Sequence, residues 1–296
     1  MKILCAVLTY NRLSLLKRCI GYINNQTQKI DQLIVINNGS TDNTENWLLS
    51  NNIKYITMPK GGSAQGWDRA VNYAIEKKFE YIWLMDDDGY PDEKSLYELC
   101  KNYKDNMICL SSIVLNEDEK EKLVFPMPIV NRFKPIIFSN FSSISNLSKL
   151  KNKLYPFVHL FNGCLLDVEK IKNIGGIDGK LFHHGVELDI YYRMIKSNSA
   201  YTLKTAKHFH PNVSKRKISD MWIYYYIKNS LIINKKYLNF YKLRNLIVIT
   251  AAVLRIYNRN GVIDLYNYTM GKKSKIFYQA IINGLKGSSK NLDEYY

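Results

Sequence analysis

The chain has 296 residues, 46% of them hydrophobic, which is enough to bury the core of one large or two smaller domains. Its 42 basic and 26 acidic residues give a formal net charge of +16, which favours anionic partners such as nucleotide phosphates, nucleic acid or an acidic membrane surface. The five cysteines are scattered and form no CxxC pair. This argues against a thiolate zinc site or a disulfide scaffold and predicts reduced thiols in a cytoplasmic protein.

The first apolar segment, Ile3 to Leu8, is followed by a polar loop, Thr9 to Arg12. At about six residues it is too short for a signal peptide or a membrane span, and it predicts a buried parallel strand. Apolar residues at helical spacing predict a helix over Leu13 to Asn24, with Ser14 as a candidate N-cap.

Strands and helices are predicted to alternate through the following segments. The strands are Gln32 to Ile36, Lys54 to Met58 and Tyr81 to Met85, and the helices are Thr44 to Ser50 and Ala64 to Lys78. This alternation is typical of βαβ units and a parallel sheet. A later strand is predicted over Ala200 to Ala206, and from Met221 onward the chain is helical, basic and rich in tyrosine. We therefore predict an α/β domain over residues 1–215 and a helical, basic and aromatic region over 216–296.

Three consecutive aspartates, Asp86, Asp87 and Asp88, directly follow the fourth predicted strand. Adjacent carboxylates repel one another unless a divalent cation or another positive charge lies among them. A solvated acidic turn is the alternative explanation of such a run. Because the preceding strand is apolar and the chain is otherwise basic, we favour a metal site at the carboxyl edge of the sheet, where open α/β sheets bind ligands.

Three other polar loops also follow predicted strands. Thr9 to Arg12 offers hydroxyls, an amide and a guanidinium, and Asn37, Asn38 and Asp42 add hydrogen-bonding groups. Gly61-Gly62 permits close backbone approach at a helix start, where amide groups favour phosphate oxygens. Together with the aspartates, these loops predict a nucleotide-diphosphate site with a divalent cation.

The order and spacing of these motifs resemble the inverting glycosyltransferases of family two. The residues that carry the resemblance are Val7 to Arg12, Val35 to Asp42, Gly61 to Gly66 and Asp86 to Asp88. The resemblance implies the GT-A fold, an α/β arrangement with a Rossmann-like nucleotide-binding, mostly parallel sheet flanked by helices. A C-terminal helical extension would follow this catalytic domain.

In that family the first loop and a turn after the second strand hold the nucleotide, and the aspartate cluster binds ribose and metal. The resemblance thus assigns the nucleotide and donor to Thr9, Tyr10, Asn11, Arg12, Asn38, Asp42, Gly61, Gly62, Trp67, Asp68, Asp86 and Asp87. It assigns Mn²⁺ or Mg²⁺ to Asp86, Asp88 and His210. Asn37 and Asn38 stand where one or two aspartates are usual, so the donor base, in a UDP- or dTDP-linked sugar, stays open.

The segment Leu181 to Arg193 resembles the acidic stretch that opens a helix in the same family. An inverting transferase needs one carboxylate to deprotonate the acceptor hydroxyl, and Glu187 aligns with that base. The alternative for Glu187 is a solvated carboxylate favoured by the helix dipole. Supporting or acceptor-side roles are assigned to Asp189, His183, His184 and His208.

Within the family, Gly61 to Ala64 and Met85 to Asp88 most resemble the galactofuranosyl and rhamnosyl transferases of bacterial surface polysaccharides, such as capsule and lipopolysaccharide. The expected reaction moves a hexose from a nucleotide-diphosphate donor to a glycan or lipid-linked acceptor. The expected location is the cytoplasm. The basic aromatic region either contacts the inner face of the membrane or caps the fold.

Two other functional classes compete with this interpretation. A nucleic-acid-binding protein would use the basic surface, but no recognised binding motif is present and a central triple aspartate would repel phosphates unless it held metal, so no nucleic-acid partner is expected. A nucleotidyltransferase would share the metal and nucleotide, but the glycine-rich signature after strand one is missing. An inactive binding module would lack the base or the metal ligands, and candidates for both are present.

Overall fold

The computed structural model describes residues 1–128, 140–149, 151–196, 199–213 and 216–292. The chain divides into two compact units. The sheet unit consists of Met1–Ile177 and Arg193–Val213, and the helical unit consists of Asp178–Tyr192 and Ser214–Tyr296.

The sheet unit is built on a mixed sheet. Its strands are β1 (Ile3–Thr9), β2 (Gln32–Asn37), β3 (Tyr55–Thr57), β4 (Tyr81–Asp86), β5 (Tyr90–Pro91), β6 (Cys109–Asn116), β7 (Lys122–Pro128), β8 (Asn140–Ser143), β9 (Leu154–Tyr155), β10 (Asn162–Asp167) and β11 (Ala200–His210). The main strand order is β3-β2-β1-β4-β10-β6-β11-β5. β1 to β4 are mutually parallel, whereas β10 runs antiparallel to both β4 and β6.

Eleven α-helices are found in the described residues. They are α1 (Leu13–Asn24), α2 (Thr44–Ser50), α3 (Ser63–Glu76), α4 (Ser95–Asn102), α5 (Ile144–Ser148), α6 (Val168–Asn173), α7 (Val186–Ile195), α8 (Asp220–Tyr237), α9 (Tyr241–Asn260), α10 (Val262–Thr269) and α11 (Ser274–Lys286). A short 3₁₀ helix, Gly179–Leu181, precedes α7.

The predicted elements of the first 86 residues are confirmed to within two residues at every boundary. β1 is buried at every position and β4 at its four central positions, as expected for strands that are covered on both faces. β11 is longer than predicted because its pairing with β6 continues past an irregularity between Leu203 and Lys207 as far as His210.

The prediction of Ser14 as the N-cap of α1 is wrong. The helix starts at Leu13, so Ser14 already lies inside its first turn. Arg12 occupies the N-cap position, and its side chain makes no capping hydrogen bond. The Leu13 amide instead donates to Asp42 Oδ2 at 3.4 Å, from the loop after β2. One of the free amides at the start of α1 is thus paired with a residue of a neighbouring loop, which no local pattern in α1 reveals.

The helical unit has its own hydrophobic core. The inner residues come mainly from α8, with Ala252 and Ile256 from α9, Tyr268 from α10 and Phe277 from α11. α8 packs against α9 and α11, and α10 packs against the same two helices. Within the described residues, no helix has the length and apolar character needed to cross a membrane.

Candidate active site

The aspartate cluster lies where β4 ends and the chain turns. Asp86 is the last residue of β4, and Asp87 and Asp88 form the following turn, both almost fully buried. Because β1, β2 and β3 run parallel to β4, the loops that follow these strands meet at the same edge of the sheet. The predicted nucleotide loops and the aspartates are therefore neighbours.

Two residues of the Thr9–Arg12 segment contact the carboxylate of Asp87: Thr9 through a hydrogen bond and Arg12 through an ion pair. Thr9 Oγ1 donates to Asp87 Oδ2 at 2.6 Å, and Arg12 NH1 lies 3.3 Å from Asp87 Oδ1 and 3.0 Å from Asp88 Oδ2. Burial raises the pKa of Asp87 to about 6, although Thr9 and Arg12 act in the opposite direction. Arg12 thus provides part of the positive charge that the buried cluster requires.

Asp88 also meets His210 from the end of β11. His210 Nε2 lies 3.0 Å from Asp88 Oδ1, and its Nδ1 lies 2.8 Å from the carbonyl oxygen of Pro211. A tautomer in which Nδ1 donates to this carbonyl leaves Nε2 available to coordinate a cation beside Asp88 Oδ1. A backbone carbonyl behind the ring is the usual support of a metal-ligating histidine. The Asp88–His210 pair therefore fits a divalent cation.

The predicted metal trio is only partly brought together. In the part of the chain that the structure describes, no three His, Cys, Asp or Glu side chains form a group that could hold a metal ion. Asp88 and His210 are in contact, but Asp86 does not form a group of three with them. A cation here would depend on oxygen ligands from a bound diphosphate.

His208 lies beside this pair but has a different environment. Its ring is fully buried, and neither ring nitrogen has a hydrogen-bond partner among the described residues. Burial lowers the pKa of His208 to about 3. A Cβ at Gly89 would lie 2.3 Å from His208 Nε2, so the turn after the aspartates fits against this ring only with glycine at that position.

Asparagine side chains tie the neighbouring loops together. Asn11 Oδ1 accepts from the amide of Thr41 at 2.7 Å and joins the first loop to the second. Asn38 is nearly buried, donates to Gly61 O at 2.9 Å and accepts from Gly61 N at 3.1 Å. Asn37 accepts from the amide of Ser40 at 3.0 Å. These amides shape the edge, and the contact of Asn38 with the nucleotide stays a prediction.

The remaining predicted donor residues lie around the same loops. Asp42 accepts from the Thr44 amide at 3.1 Å, and Gly62 N donates to Gln65 Oε1 at 3.2 Å. Tyr10 is 37% exposed. Asp68 accepts from Asn72 on α3. Trp67 is only 1% exposed and stacks on Phe161 with ring centroids 4.5 Å apart, so it belongs to the core, and its contact with the donor stays a prediction.

Within the helical unit, Glu187 lies in the first turn of α7. Its side chain is partly exposed, yet its surroundings are apolar enough that burial raises the pKa of Glu187 to about 8. Asp189 is buried and accepts from Lys236 Nζ at 2.9 Å and from Tyr237 OH at 2.7 Å. The two carboxylates of this segment thus have different surroundings.

The turn before α7 is held from α8. The Asn229 side-chain amide donates to the carbonyls of Leu181 at 2.8 Å, His184 at 2.6 Å and His183 at 3.3 Å. The ring of His184 packs near Tyr226, with centroids 5.1 Å apart, and burial lowers its pKa to about 3. Burial also lowers the pKa of His183. Burial therefore disfavours the charged form of both imidazoles.

Several residues that shape the site were not predicted. In the sheet unit, Arg18 NH2 donates to the carbonyl of Asp88 at 2.8 Å and Arg18 NH1 pairs with Glu117 at 2.8 Å. In the helical unit, Asn229 donates to the turn before α7 and Lys236 pairs with Asp189. Each acts on a segment more than 40 residues away in the sequence, and no local pattern signals such a contact.

Comparisons with known proteins agree with this architecture. Residues 5–159 match the model of glycosyl transferase family 2, so the chain belongs to this family. The chain is 26% identical over 220 residues to the galactofuranosyltransferase GlfT1 of Mycolicibacterium smegmatis, covering 71% of each chain. The family resemblance inferred from the sequence is confirmed, and the protein is a glycosyltransferase.

Solved structures show the same fold. A structure of GalNAc-T7 with UDP, GalNAc and Mn²⁺ matches all of this chain at a TM-score of 0.61 and 13% identity, and this chain spans 58% of its length. A structure of a mannosyltransferase from Pyrobaculum calidifontis with GDP-Man and Mn²⁺ matches all of this chain at a TM-score of 0.55 and 14% identity. The match covers 88% of that mannosyltransferase chain. These likenesses confirm the predicted GT-A fold.

We expect the side chain of Asn229 to stabilise the turn that precedes α7. Asn229→Ala removes the amide whose two N–H groups donate to the buried or part-buried carbonyls of this turn, so we expect the free energy of unfolding to fall by about 1–3 kcal/mol. Urea denaturation measures this change. Asn258→Ala, an exposed position on α9, is the matched control and should change stability by less than about 0.5 kcal/mol. Equal unfolding midpoints for the two variants would show that Asn229 does not hold the turn.

Proposed function

We propose that the protein is a metal-dependent, inverting hexosyltransferase that uses a UDP- or dTDP-linked sugar and a glycan or lipid-linked acceptor. The observation that carries this proposal is the Asp88–His210 pair beside Arg12 at the carboxyl edge of the sheet. Galactofuranose is favoured over rhamnose as the donor sugar because the chain is similar to galactofuranosyltransferases. The expected pathway is bacterial surface-polysaccharide synthesis. Five free cysteines support a location in the reducing cytoplasm.

The donor diphosphate would be held by a combination of positive charge and backbone amides. Asp88 and His210 would hold Mn²⁺ or Mg²⁺, which supplies positive charge to the diphosphate leaving group. The side chain of Arg12 is 45% exposed and keeps guanidinium N–H groups available for phosphate oxygens. The amides at the start of α3, after Gly61-Gly62, are suited to the same oxygens.

Glu187 is the proposed general base. The acceptor hydroxyl oxygen attacks the anomeric carbon, Glu187 takes the hydroxyl proton, and the bond from the anomeric carbon to the diphosphate oxygen breaks. The nucleoside diphosphate leaves with the bonding electrons, and the anomeric configuration inverts. A pKa near 8 makes this carboxylate a stronger base than an ordinary glutamate, which supports the assignment.

The metal requirement is tested on Asp88. We expect Asp88→Asn to abolish transfer and to weaken Mn²⁺-dependent UDP binding by roughly 10–100-fold or more, because one of the two cation ligands loses its charge. Isothermal titration calorimetry with UDP, with and without Mn²⁺, measures the effect. Asp92→Asn, a nearby aspartate outside the cluster, is the control and should bind as the parent does. Full activity in excess chelator would contradict the metal requirement.

The base is tested on Glu187. Glu187→Gln keeps the size of the side chain but removes its basicity, so kcat should fall by roughly 10²–10⁴-fold while calorimetry still detects UDP binding. Glu169→Gln, also in the first turn of a helix, is the control and should transfer at the parent rate. Retention of the donor's anomeric configuration in the product, followed by NMR, would contradict the single-displacement mechanism.

The same carboxylate predicts a pH profile. The pKa of Glu187 is raised to about 8, so at a lower pH most of this side chain is protonated and cannot accept a proton. Raising the pH therefore increases the active fraction of the enzyme. We expect kcat/KM to rise about tenfold per pH unit on the acid side and to level off above about pH 8. The residual kcat/KM of Glu187→Gln should not show this rise with pH. A parent profile that is flat between pH 6 and about 9 would remove Glu187 from the role.

A further inference from the structure

Exposed apolar side chains are concentrated in the helical unit. Of the large hydrophobic residues that are exposed in the described part of the chain, thirteen lie between Met221 and Leu285, and the other five are scattered through the first 97 residues. Single exposed apolar residues are ordinary, whereas a dense group marks an interaction surface.

α9 carries the longest part of this group. Leu243, Leu246, Leu254 and Tyr257 are each more than half exposed. Their spacing of three, eight and three residues places them within about 80° of one another around the helix. The roughly opposite side carries the buried Asn245, Ala252 and Ile256. A surface helix normally turns its polar face outward, so the outer face of α9 is unusual.

α10 and α11 continue the same pattern. The exposed residues Val262, Ile263, Tyr266 and Met270 follow helical spacing on and just after α10, and Tyr278, Ile282 and Leu285 do so on α11. α10 packs against both α9 and α11, so the three helices that carry these stripes are neighbours. We call their exposed apolar residues together the α9–α11 surface.

The same region is strongly basic. Residues 221–292 contain twelve Lys or Arg residues and one acidic residue, Asp264, and therefore carry most of the net charge of +16. Eight of the basic residues are exposed: Lys235, Lys236, Lys242, Arg255, Lys272, Lys275, Lys286 and Lys290. The occupant of the α9–α11 surface must accept both apolar side chains and a large positive charge.

We propose that the α9–α11 surface docks on an anionic lipid bilayer, with the apolar stripes in the interface and the lysines on lipid phosphates. A nucleic acid would satisfy the charge but not the leucine, isoleucine and methionine side chains. A second copy of the chain would bury these side chains but bring two basic surfaces together. A bilayer with acidic headgroups satisfies both properties. Docking requires no spanning helix, consistent with the absence of one from the described residues.

A groove in this region offers a place for a single lipid. It has a volume of about 340 Å³, and its walls include Leu231 and Leu285. Lys235 and Lys242 also line it, so apolar walls and two ammonium groups occur together. This combination suits the glycerol-phosphate end of an acidic phospholipid.

Vesicle flotation of the full chain tests the proposal without any sugar donor, so its result is independent of the proposed transferase activity. The probes are vesicles of phosphatidylcholine alone and of phosphatidylcholine mixed with phosphatidylglycerol. We expect binding only to the mixed vesicles, with weakening at high salt because exposed charges are screened.

Two pairs of substitutions separate the apolar and the charged contributions. Leu243→Gln with Leu246→Gln should lower the partition coefficient roughly tenfold or more. Lys272→Gln with Lys275→Gln should lower it about fivefold for each lysine. Leu49→Gln and Lys94→Gln, exposed positions in the sheet unit, are the matched controls and should bind as the parent does. Unchanged melting temperatures confirm that the variants are folded.

Three outcomes would overturn the proposal. The first is that the chain floats with neither vesicle. The second is that neither pair of substitutions changes binding relative to its control. The third comes from light scattering: a parent oligomer that dissociates in the Leu243→Gln, Leu246→Gln variant would identify the surface as an interface between copies of this chain.

Discussion

The need to compensate buried carboxylates at the end of β4 determines how the polar edge of the sheet is arranged. Asp87 and Asp88 are 2% and 5% exposed, and carboxylates at that depth require partners. The partners come from segments distant in the sequence: Thr9 and Arg12 from the first loop and His210 from β11. The cluster thus joins the first strand of the sheet to one of the last. A bound cation would strengthen a compensation that the protein already provides in part.

Two asparagines at the end of β2, where the resembled family usually has aspartates, have partners in the neighbouring loops. Asn38 both donates to and accepts from Gly61, which an ionised aspartate cannot do because it only accepts. Asn37 likewise donates to Thr57 and accepts from Ser40. Neutral amides hold the second and third loops together without adding negative charge beside Asp87 and Asp88. The two amides that depart from the family pattern therefore have structural partners at this edge.

The sequence predicts this protein well where the determinants are local. Continuous apolar runs predict β1 and β4, and apolar residues at helical spacing predict α1. These predictions succeed because the periodicity of a strand or a helix can be recognised in a short segment of sequence. Contacts between distant segments were not predictable from local patterns. The amide of Asn229 reaches carbonyls about 45 residues earlier, which no local pattern signals. The family resemblance brought Asp88 and His210 to one metal site, and they are in contact, but only the structure shows that Asp86 does not form a group with them. The exposure of one face of α9 also required the structure, since an apolar stripe at helical spacing predicts burial.

The surroundings of Glu187 and Asp189 support the proposal that Glu187 is the base. Asp189 is buried against Lys236 and Tyr237, which stabilise its charge and occupy one of its oxygens. Glu187 lies two residues away, where burial destabilises its charged form. A carboxylate whose charge is unfavourable binds a proton more readily, and pairs of groups with such opposed environments commonly divide catalytic and structural roles. Asn229 fixes the turn that leads into this helix, so α8 provides both the partner of Asp189 and the support for the segment that carries Glu187.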